Sequence, residues 1–316
     1  MNAGRGPIAC YAICMQPWAW KNGVWLPARE CHIGFDDAGF VWGATVTDQC
    51  RTFRHRLFDL EAHVERFLRS AELACIPVPY SFHDLVETAQ ELVSRNAHEL
   101  AAEEELCLIL AATPGPIEYY SGPRSSLASV PTMLMHTYPL PWRRYVPLLR
   151  YGAVVLIPRV RSVPSACLSP TIKHRSRLHW WIAQTEVRRR DPEALALLLD
   201  ETGRLTETAL ANFHAVIGAT VVSPPQEVIL PGLSRKRIRD LCTTCGLTYC
   251  EKPLTQADLS LCSEAFLSNS IFCLAPVRRI EDHAYPCPGP VYQMLRRAFS
   301  ELVGLDFVEQ ILGHAT

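Results

Sequence analysis

The sequence predicts an α+β fold divided into two domains, and three observations lead to this prediction. The chain has 316 residues, which is long for a single hydrophobic core. Segments with strand-like and helix-like hydrophobic spacing follow one another along its length. Pro139-Leu140-Pro141 interrupts both kinds of spacing. We therefore expect a small N-terminal domain in residues 1–140 and a larger C-terminal domain in residues 141–316.

The N-terminal domain is expected to combine strands with two helices. One helix starts near Glu61, because Val64 and Phe67 begin a run of apolar residues at helical spacing. A second helix is predicted over residues 82–100, with Ser81 as its N-cap. The predicted strands of this domain cover residues 24–26, 39–53, 106–112 and 132–138.

The C-terminal domain is expected to contain more strands, separated by short turns and three helices. The predicted strands cover residues 152–158, 194–199, 204–207, 213–217, 220–223, 247–250 and 265–267. The predicted helices cover residues 175–190, 233–245 and 290–303.

The composition argues against a nucleic-acid or membrane partner. The chain carries 31 Lys and Arg residues against 32 Asp and Glu residues, for a formal net charge of −1. Such a balance provides no long-range field that would hold a polyanion or an anionic membrane. No apolar run approaches the ~20 residues that span a bilayer. The apolar stretch at residues 8–15 is too short and too weakly charged at its start to predict a signal peptide.

The thirteen cysteines predict a reducing compartment such as the cytoplasm. They are scattered along apolar segments and odd in number, as buried thiols are in intracellular proteins. Cys242 and Cys245, with Cys250 nearby, lack a second pair at zinc-ligand spacing, so we expect no metal site.

Four segments of the C-terminal half carry residue types suited to catalysis. One places Lys173 where a loop enters a helix, and another delivers Glu207 after a tight turn. In a third, Gly232-Leu233-Ser234 opens a helix, whose first backbone N–H groups lack partners and form an anion site. The four segments are residues 171–178, 198–207, 229–235 and 264–270.

In this order and spacing the four segments resemble the fold-type IV (class IV) pyridoxal-phosphate enzymes. These include branched-chain and D-amino-acid aminotransferases and aminodeoxychorismate lyase. The helix that contains His63 and Arg66 is similar to the family's His-x-x-Arg-Leu helix, and the resemblance extends from about Gly34 to Ile280. It implies a small α/β sandwich domain, a larger domain built on a β-barrel-like sheet with flanking helices, and a homodimer.

The resemblance implies pyridoxal 5′-phosphate as the cofactor, bound to Lys173 as a Schiff base. A lysine must be partly deprotonated to form that bond, and burial beside cations lowers its pKa. Glu207 matches the carboxylate that keeps the pyridine nitrogen protonated. The cofactor phosphate needs N–H donors and positive charge. The residues that match the phosphate site are Arg66, Leu233, Ser234 and Ser270.

The substrate side departs from the common aminotransferases. Thr47 replaces an aromatic residue that often lines the substrate site, and Thr47 and Asp48 are the candidate substrate contacts. In branched-chain enzymes a tyrosine at the position of Leu178 bonds the cofactor's phenolate oxygen. The lyase, like this chain, has leucine there. The strand arginine that binds a substrate carboxylate in relatives is missing. The nearby substitutes are Arg124, Arg143 and Arg144.

Three functions are compatible with these residues. The leading prediction is an aminotransferase that moves an amino group between an amino acid or amine and a 2-oxo acid. The alternative is an aminodeoxychorismate lyase, in which the same lysine drives pyruvate release and 4-aminobenzoate formation. A catalytically inactive family member is the third, although retention of Lys173 and Glu207 argues against it.

Overall fold

The computed structural model describes residues 17–98, 100–121 and 130–314. The apolar stretch at residues 8–15 and the candidate Arg124 lie outside the described residues. No helix of the described part is both long enough and apolar enough to cross a bilayer.

The first half of the described chain builds an antiparallel sheet of six strands in the order β2-β1-β6-β5-β3-β4. These strands are β1 (Trp18–Lys21), β2 (Val24–Pro27), β3 (Val46–Phe53), β4 (Arg56–Leu57), β5 (Leu106–Thr113) and β6 (Thr132–Pro139). Side chains alternate across a strand. Val46 and Cys50 of β3 therefore join the core on one face, whereas Thr47 and Gln49 belong to the other face.

The second half contains a sheet of nine strands that closes on itself. Its strands are β7 (Ala153–Leu156), β8 (Leu195–Leu199), β9 (Leu205–Thr208), β10 (Asn212–Ile217), β11 (Thr220–Ser223), β12 (Thr248–Glu251), β13 (Glu264–Asn269), β14 (Cys273–Ile280) and β15 (His283–Ala284). The order is β12-β11-β10-β13-β14-β7-β8-β9, with β15 beside β14. Because β9 also pairs with β10 at Glu207 and Asn212, six of the strands form a barrel-like ring.

Helices cover the outer faces of both sheets. They are α1 (Ala38–Val41), α2 (Leu60–Leu73), α3 (Phe82–Ala97), α4 (Glu118–Ser121), α5 (Trp142–Tyr151), α6 (Leu178–Arg190), α7 (Leu233–Thr244), α8 (Pro290–Val303) and α9 (Phe307–Gly313). Phe67 of α2 and Leu92 of α3 pack in the core of the first sheet. Ala183 and Val187 of α6 pack against Val154 of β7. The α+β fold class predicted from the sequence is confirmed.

Two predicted boundaries are wrong. The strand expected over residues 39–53 starts only at Val46, because α1 precedes it and the Asp37 side chain accepts a hydrogen bond from the Gly39 N–H at 2.7 Å. The helix expected from Arg175 begins at Leu178. The Arg175 N–H donates to the carbonyl of Thr45 instead, at 2.9 Å.

Several of the observed helices and strands were not predicted from the sequence. The described chain adds β1, α5, α9 and the long strand β14 to the predicted set. Pro147 lies inside α5 and hides its helical character in the sequence. Pro276 of β14 obscures that strand in the same way.

The chain between the two sheets includes the predicted boundary. β6 ends at Pro139 and β7 begins at Ala153, so residues 140 and 141 lie between the sheets. Contacts nevertheless cross this line: Arg51 of β3 donates to the Gln310 side chain of α9 at 3.0 Å. The division into domains 1–140 and 141–316 stays a prediction.

Candidate active site

One cavity gathers all six residues that the sequence assigned to the cofactor. It has a volume of about 150 Å³ and lies where α2 and β3 of the first half meet the second sheet. Its lining includes Lys173, Glu207, Arg66, Leu233, Ser234 and Ser270. The first and last of these residues, Arg66 and Ser270, are 204 positions apart in sequence, so only folding brings the set together.

Lys173 is held by its backbone on both sides. Its N–H donates to Oγ of Ser70 on α2 at 3.1 Å, and its carbonyl accepts from the N–H of Thr47 on β3 at 2.9 Å. Burial lowers the pKa of the Lys173 amine to about 8, and the guanidinium groups of Arg66 and Arg177 act in the same direction. At neutral pH a useful fraction of this amine is therefore uncharged and nucleophilic.

Glu207 lies at the point where β9 pairs with β10 to close the barrel. Its Oε2 accepts from Nδ2 of Asn212 and its Oε1 from the N–H of Leu230, both at 3.0 Å. Burial raises the pKa of Glu207 to about 7, and the Leu230 hydrogen bond and the Arg177 charge oppose this rise. A cationic group placed beside this carboxylate would hold it ionised.

The start of α7 presents backbone donors beside the cavity. Gly232 is the N-cap residue of this helix, so the following N–H groups have no intrahelical acceptor. A Cβ at Gly232 would lie 1.9 Å from Oδ1 of Asn212, so only glycine allows this close approach. Ser234 and Ser270 line the same cavity and add hydroxyl groups.

Arg66 is positioned by the buried Asp48. Its Nε and Nη2 donate to the two carboxylate oxygens of Asp48 at 2.8 and 2.9 Å. Its Nη1 donates to the carbonyl of Pro231, just before α7, at 3.3 Å. Nδ1 of His63 lies 2.7 Å from Oδ1 of Asp48. Although burial acts in the opposite direction, Arg66 and His63 hold the pKa of Asp48 well below its usual range.

The expected substrate contacts, Thr47 and Asp48, are buried and already hydrogen-bonded. Asp48 has no exposed surface and uses both oxygens on Arg66, so it supports the anion site from behind. Thr47 is buried and donates from Oγ1 to the carbonyl of Leu110 at 2.8 Å. Neither residue lines the cavity, whereas Gln49 on the same face as Thr47 does. Strand alternation from Thr47 was the signal that could have identified Gln49.

The two described substitutes for the missing strand arginine, Arg143 and Arg144, do not line this cavity. Arg143 and Arg144 lie on α5, and Arg144 lines a different cavity beside Gly152. Arg177 does line the active-site cavity. Nη2 of Arg175 lies 3.4 Å from Oγ1 of Thr47, at the face of the first sheet.

The cysteine cluster shows no metal-site geometry. Cys242 is buried, and burial raises its pKa to about 12, with the nearby Cys245 acting in the same direction. Within the described ranges, no group of three or more His, Cys, Asp or Glu side chains is arranged to hold a metal ion.

The fold and the cavity define a class of enzyme. A nucleophilic lysine, a carboxylate that would pair with a ring nitrogen and a helix start that would bind a phosphate are the donor set of a pyridoxal-phosphate site. The chain matches the profile of amino-transferase class IV over residues 45–280. It belongs to this family, which confirms the resemblance seen in the sequence.

Individual relatives and solved structures agree with this assignment. D-alanine aminotransferase of Bacillus licheniformis is 22% identical over 285 residues, covering 89% of this chain and 95% of the relative. The crystal structure of Escherichia coli branched-chain amino acid aminotransferase has a TM-score of 0.82 at 20% identity and covers 92% of this chain and 95% of that one. The T.th. branched-chain amino acid aminotransferase with pyridoxamine 5′-phosphate has a TM-score of 0.78 at 19% identity, with the same coverage of both chains.

The chain is thus a class IV aminotransferase that uses pyridoxal phosphate. Its amino-group donors and acceptors are amino acids and 2-oxo acids, as this family implies. The fold-type IV architecture is confirmed by the structural neighbours. The lyase alternative is not favoured by the relatives, which are aminotransferases.

Proposed function

We propose that Lys173 forms the covalent bond with pyridoxal phosphate and moves the proton during amino-group transfer. The observation that carries this proposal is the arrangement of the cavity. Lys173 shares the cavity with a carboxylate, Glu207, and with donors suited to an anion, which are Arg66 and the start of α7. The leading alternative is that the buried lysine forms a structural ion pair. Such a pair would require no anion site in the same cavity.

Each residue has a separate task in this proposal. When bound, pyridoxal phosphate supplies a carbonyl group for the amino group and a ring that withdraws electrons. Glu207 holds the proton on the ring nitrogen, and Asn212 and Leu230 fix the direction of its carboxylate. Nζ of Lys173 would take the proton from the α-carbon of the amino donor as a general base and deliver it, as a general acid, to the carbon that carried the cofactor's carbonyl group.

The phosphate is held by a cation and by backbone and hydroxyl donors. Arg66 contributes the charge, and its bidentate bond to Asp48 keeps the guanidinium in place before the ligand arrives. The first N–H groups of α7 at Leu233 and Ser234, with the hydroxyl of Ser270, complete the donor set.

We assign substrate-carboxylate binding to Gln49, which lines the cavity, and to Arg175, which lies outside the lining but contacts Thr47 on the same sheet face. Gln49 lines the cavity and donates to the hydroxyl of Tyr138. Arg175 follows Lys173 by two residues and contacts Thr47, the neighbour of Gln49 on the same sheet face. A guanidinium at this place would bind a carboxylate by charge-assisted hydrogen bonds. This supports an amino acid, rather than a simple amine, as the amino donor.

We also propose that the enzyme is a homodimer in a reducing compartment, the cytoplasm. The supporting surface is the apolar patch, defined as Phe40, Trp42, Leu178, Trp181 and Ile182, with exposures of 71, 63, 70, 72 and 47%. Oγ of Ser176, just before Leu178, donates to the carbonyl of Gly43, just after Trp42, at 2.6 Å. This hydrogen bond connects the two parts of the apolar patch. Exposed apolar surface of this kind is typical of an interface. The eleven described cysteines are free thiols, as expected in a reducing environment.

Borohydride trapping tests the lysine assignment. Reduction of the holoenzyme should remove the visible absorption band and leave one cofactor label on the peptide that contains Lys173, and Lys173→Ala should carry none. Without reduction, amino acids with a 2-oxo acid acceptor should turn over, whereas simple amines should react at least about tenfold more slowly because they lack the carboxylate. A label on another lysine, or a wild-type protein that takes up no cofactor, would exclude this proposal.

A further inference from the structure

Arg177 places a second cation in the cavity, away from the anion site. Its side chain lines the cavity together with Lys173 and Glu207. Nη2 of Arg177 donates to the carbonyl of Ala209, two residues beyond Glu207. Its guanidinium carbon lies 5.8 Å from the ring centroid of Trp180. These contacts fix the guanidinium on the wall formed by the barrel closure and the first turn of α6.

The two arginines that line the cavity contact different parts of its wall. Arg66 reaches Asp48 and the carbonyl of Pro231, beside the start of α7. Arg177 instead reaches the chain just after Glu207. The charges agree with this separation: burial raises the pKa of Glu207 and the Arg177 charge opposes that rise, whereas both arginines add to the effect of burial in lowering the pKa of Lys173. The anion site therefore has its own cation, and Arg177 is left for another negative group.

The constitution of the cofactor identifies that group. In pyridoxal phosphate the ring carries its nitrogen at position 1, an oxygen at position 3, the carbonyl carbon at position 4 and the phosphate arm at position 5. Under the proposed function, Lys173 fixes position 4, Glu207 fixes position 1 and the α7 start fixes the arm. The ring edge that is left runs from position 1 through positions 2 and 3 to position 4, on the side away from the phosphate arm. This edge carries the oxygen at position 3.

We propose that Arg177 binds the 3-oxygen of pyridoxal phosphate and stabilises it as an anion. This inference rests on the proposed function, because it needs the ring to be held by Lys173 and Glu207. Two neighbouring side chains are poor donors for the 3-oxygen. Nδ2 of Asn212 already donates to Glu207 and to the carbonyl of Leu230, at 3.0 Å each. Leu178, the next residue, is 70% exposed and has no polar group.

The titratable groups around Arg177 leave it as a cation over a wide pH range. Glu207 and Lys173 line the same cavity and interact with it electrostatically, and Arg175 lies two residues before it in the loop that precedes α6. Burial lowers the pKa of His174 to about 4, with Arg177 acting in the same direction. Burial and Arg177 also lower the pKa of His179. Both imidazoles are therefore neutral near pH 7, when the guanidinium is charged.

The test is made on the resting holoenzyme without substrate. Arg177→Gln removes the charge, Arg177→Lys keeps it, and Arg188→Gln removes an exposed arginine from the far end of the same helix as a matched control. The visible band of the bound cofactor is titrated from pH 5 to 10. We expect its midpoint to rise by about one to three pH units in Arg177→Gln, because a nearby cation favours the more anionic form. Arg177→Lys should shift less, and Arg188→Gln should match wild type.

A second measurement compares cofactor affinities. Arg177→Gln should bind pyridoxal phosphate about tenfold or more weakly, but the 3-deoxy analogue of the cofactor with less than about a twofold change. Equal losses for both compounds, or an unchanged midpoint with the cofactor still attached to Lys173, would overturn the inference and leave the proposed function standing. A loss confined to amino-acid affinity would also overturn it, because Arg177 would then bind substrate. Absence of any label at Lys173 would reject the proposed function itself.

Discussion

At the residue scale, the cavity shifts the pKa values of two ionisable groups toward each other. Burial lowers the pKa of Lys173 to about 8 and raises that of Glu207 to about 7. The two groups therefore titrate in neighbouring pH ranges, although their ordinary values differ by several units. Such pairs are typical of catalytic sites, where an amine has to act as base and a carboxylate has to accept a cationic partner.

The lowered pKa of Lys173 predicts how apoenzyme captures the cofactor. The neutral amine is the reactive form, so the rate constant for covalent uptake of pyridoxal phosphate should rise about tenfold per pH unit below pH 8 and level off above it. Stopped-flow growth of the visible band from pH 6 to 9 measures this rate constant. A profile that still climbs steeply between pH 9 and 10 would show that the cavity leaves the lysine pKa near its ordinary value.

At the element scale, β3, α2 and α7 meet through one buried ion pair. Asp48 of β3 binds Arg66 of α2, and Arg66 reaches the carbonyl just before α7. His63 of α2 contacts the same carboxylate. This connection orients Arg66 toward the cavity and occupies both oxygens of Asp48, so the geometry favours a supporting role over the predicted substrate contact at Asp48.

Asp48→Asn should separate this supporting role from a direct substrate role. The amide keeps the size of the side chain but removes the charge that aligns Arg66, so cofactor affinity should fall about tenfold or more. The KM for the amino donor, measured with saturating cofactor, should change little. Breaking a buried pair also costs about 3–5 kcal/mol of stability, which thermal unfolding with and without cofactor would reveal. A raised KM with unchanged cofactor affinity would restore the substrate assignment.

At the scale of the whole molecule, the cavity depends on the meeting of two sheets. β3 and α2 of the first half supply Gln49 and Arg66, and the barrel of the second half supplies the remaining walls. The apolar patch spans the same junction, since Phe40 and Trp42 belong to the first half and Trp181 to the second. A second copy bound to this patch would stabilise the junction and the site together.

Trp181→Glu should weaken the proposed homodimer. A carboxylate inside an apolar interface loses its hydration, so the dimer dissociation constant should rise about tenfold or more. Sedimentation equilibrium over a range of protein concentrations measures this change. Met294→Glu is the matched control, because Met294 is 44% exposed on α8, outside the patch. A wild-type protein that sediments as a monomer at all concentrations would contradict the homodimer.

Much of the fold was predictable from local patterns, because helical spacing and caps are local properties. The last long helix is observed over Pro290–Val303, as predicted. The failures have non-local causes. Residues 173–175 pair with the start of β3 rather than beginning α6. Helix α5 forms around Pro147 because Trp142 and Leu149 are buried in the core of the second sheet.

The sequence by itself determined the family, the cofactor and the six residues that share the cavity. Their side-chain chemistry and order are carried by short segments, which a sequence displays directly. Only the tertiary structure decided that Asp48 supports Arg66, that Gln49 enters the cavity and that Arg177 lies beside Glu207. Alternation along β3 offers Gln49 as a candidate, but the packing of distant segments decides which side chains enter the cavity, and local spacing along the chain does not show how those segments meet.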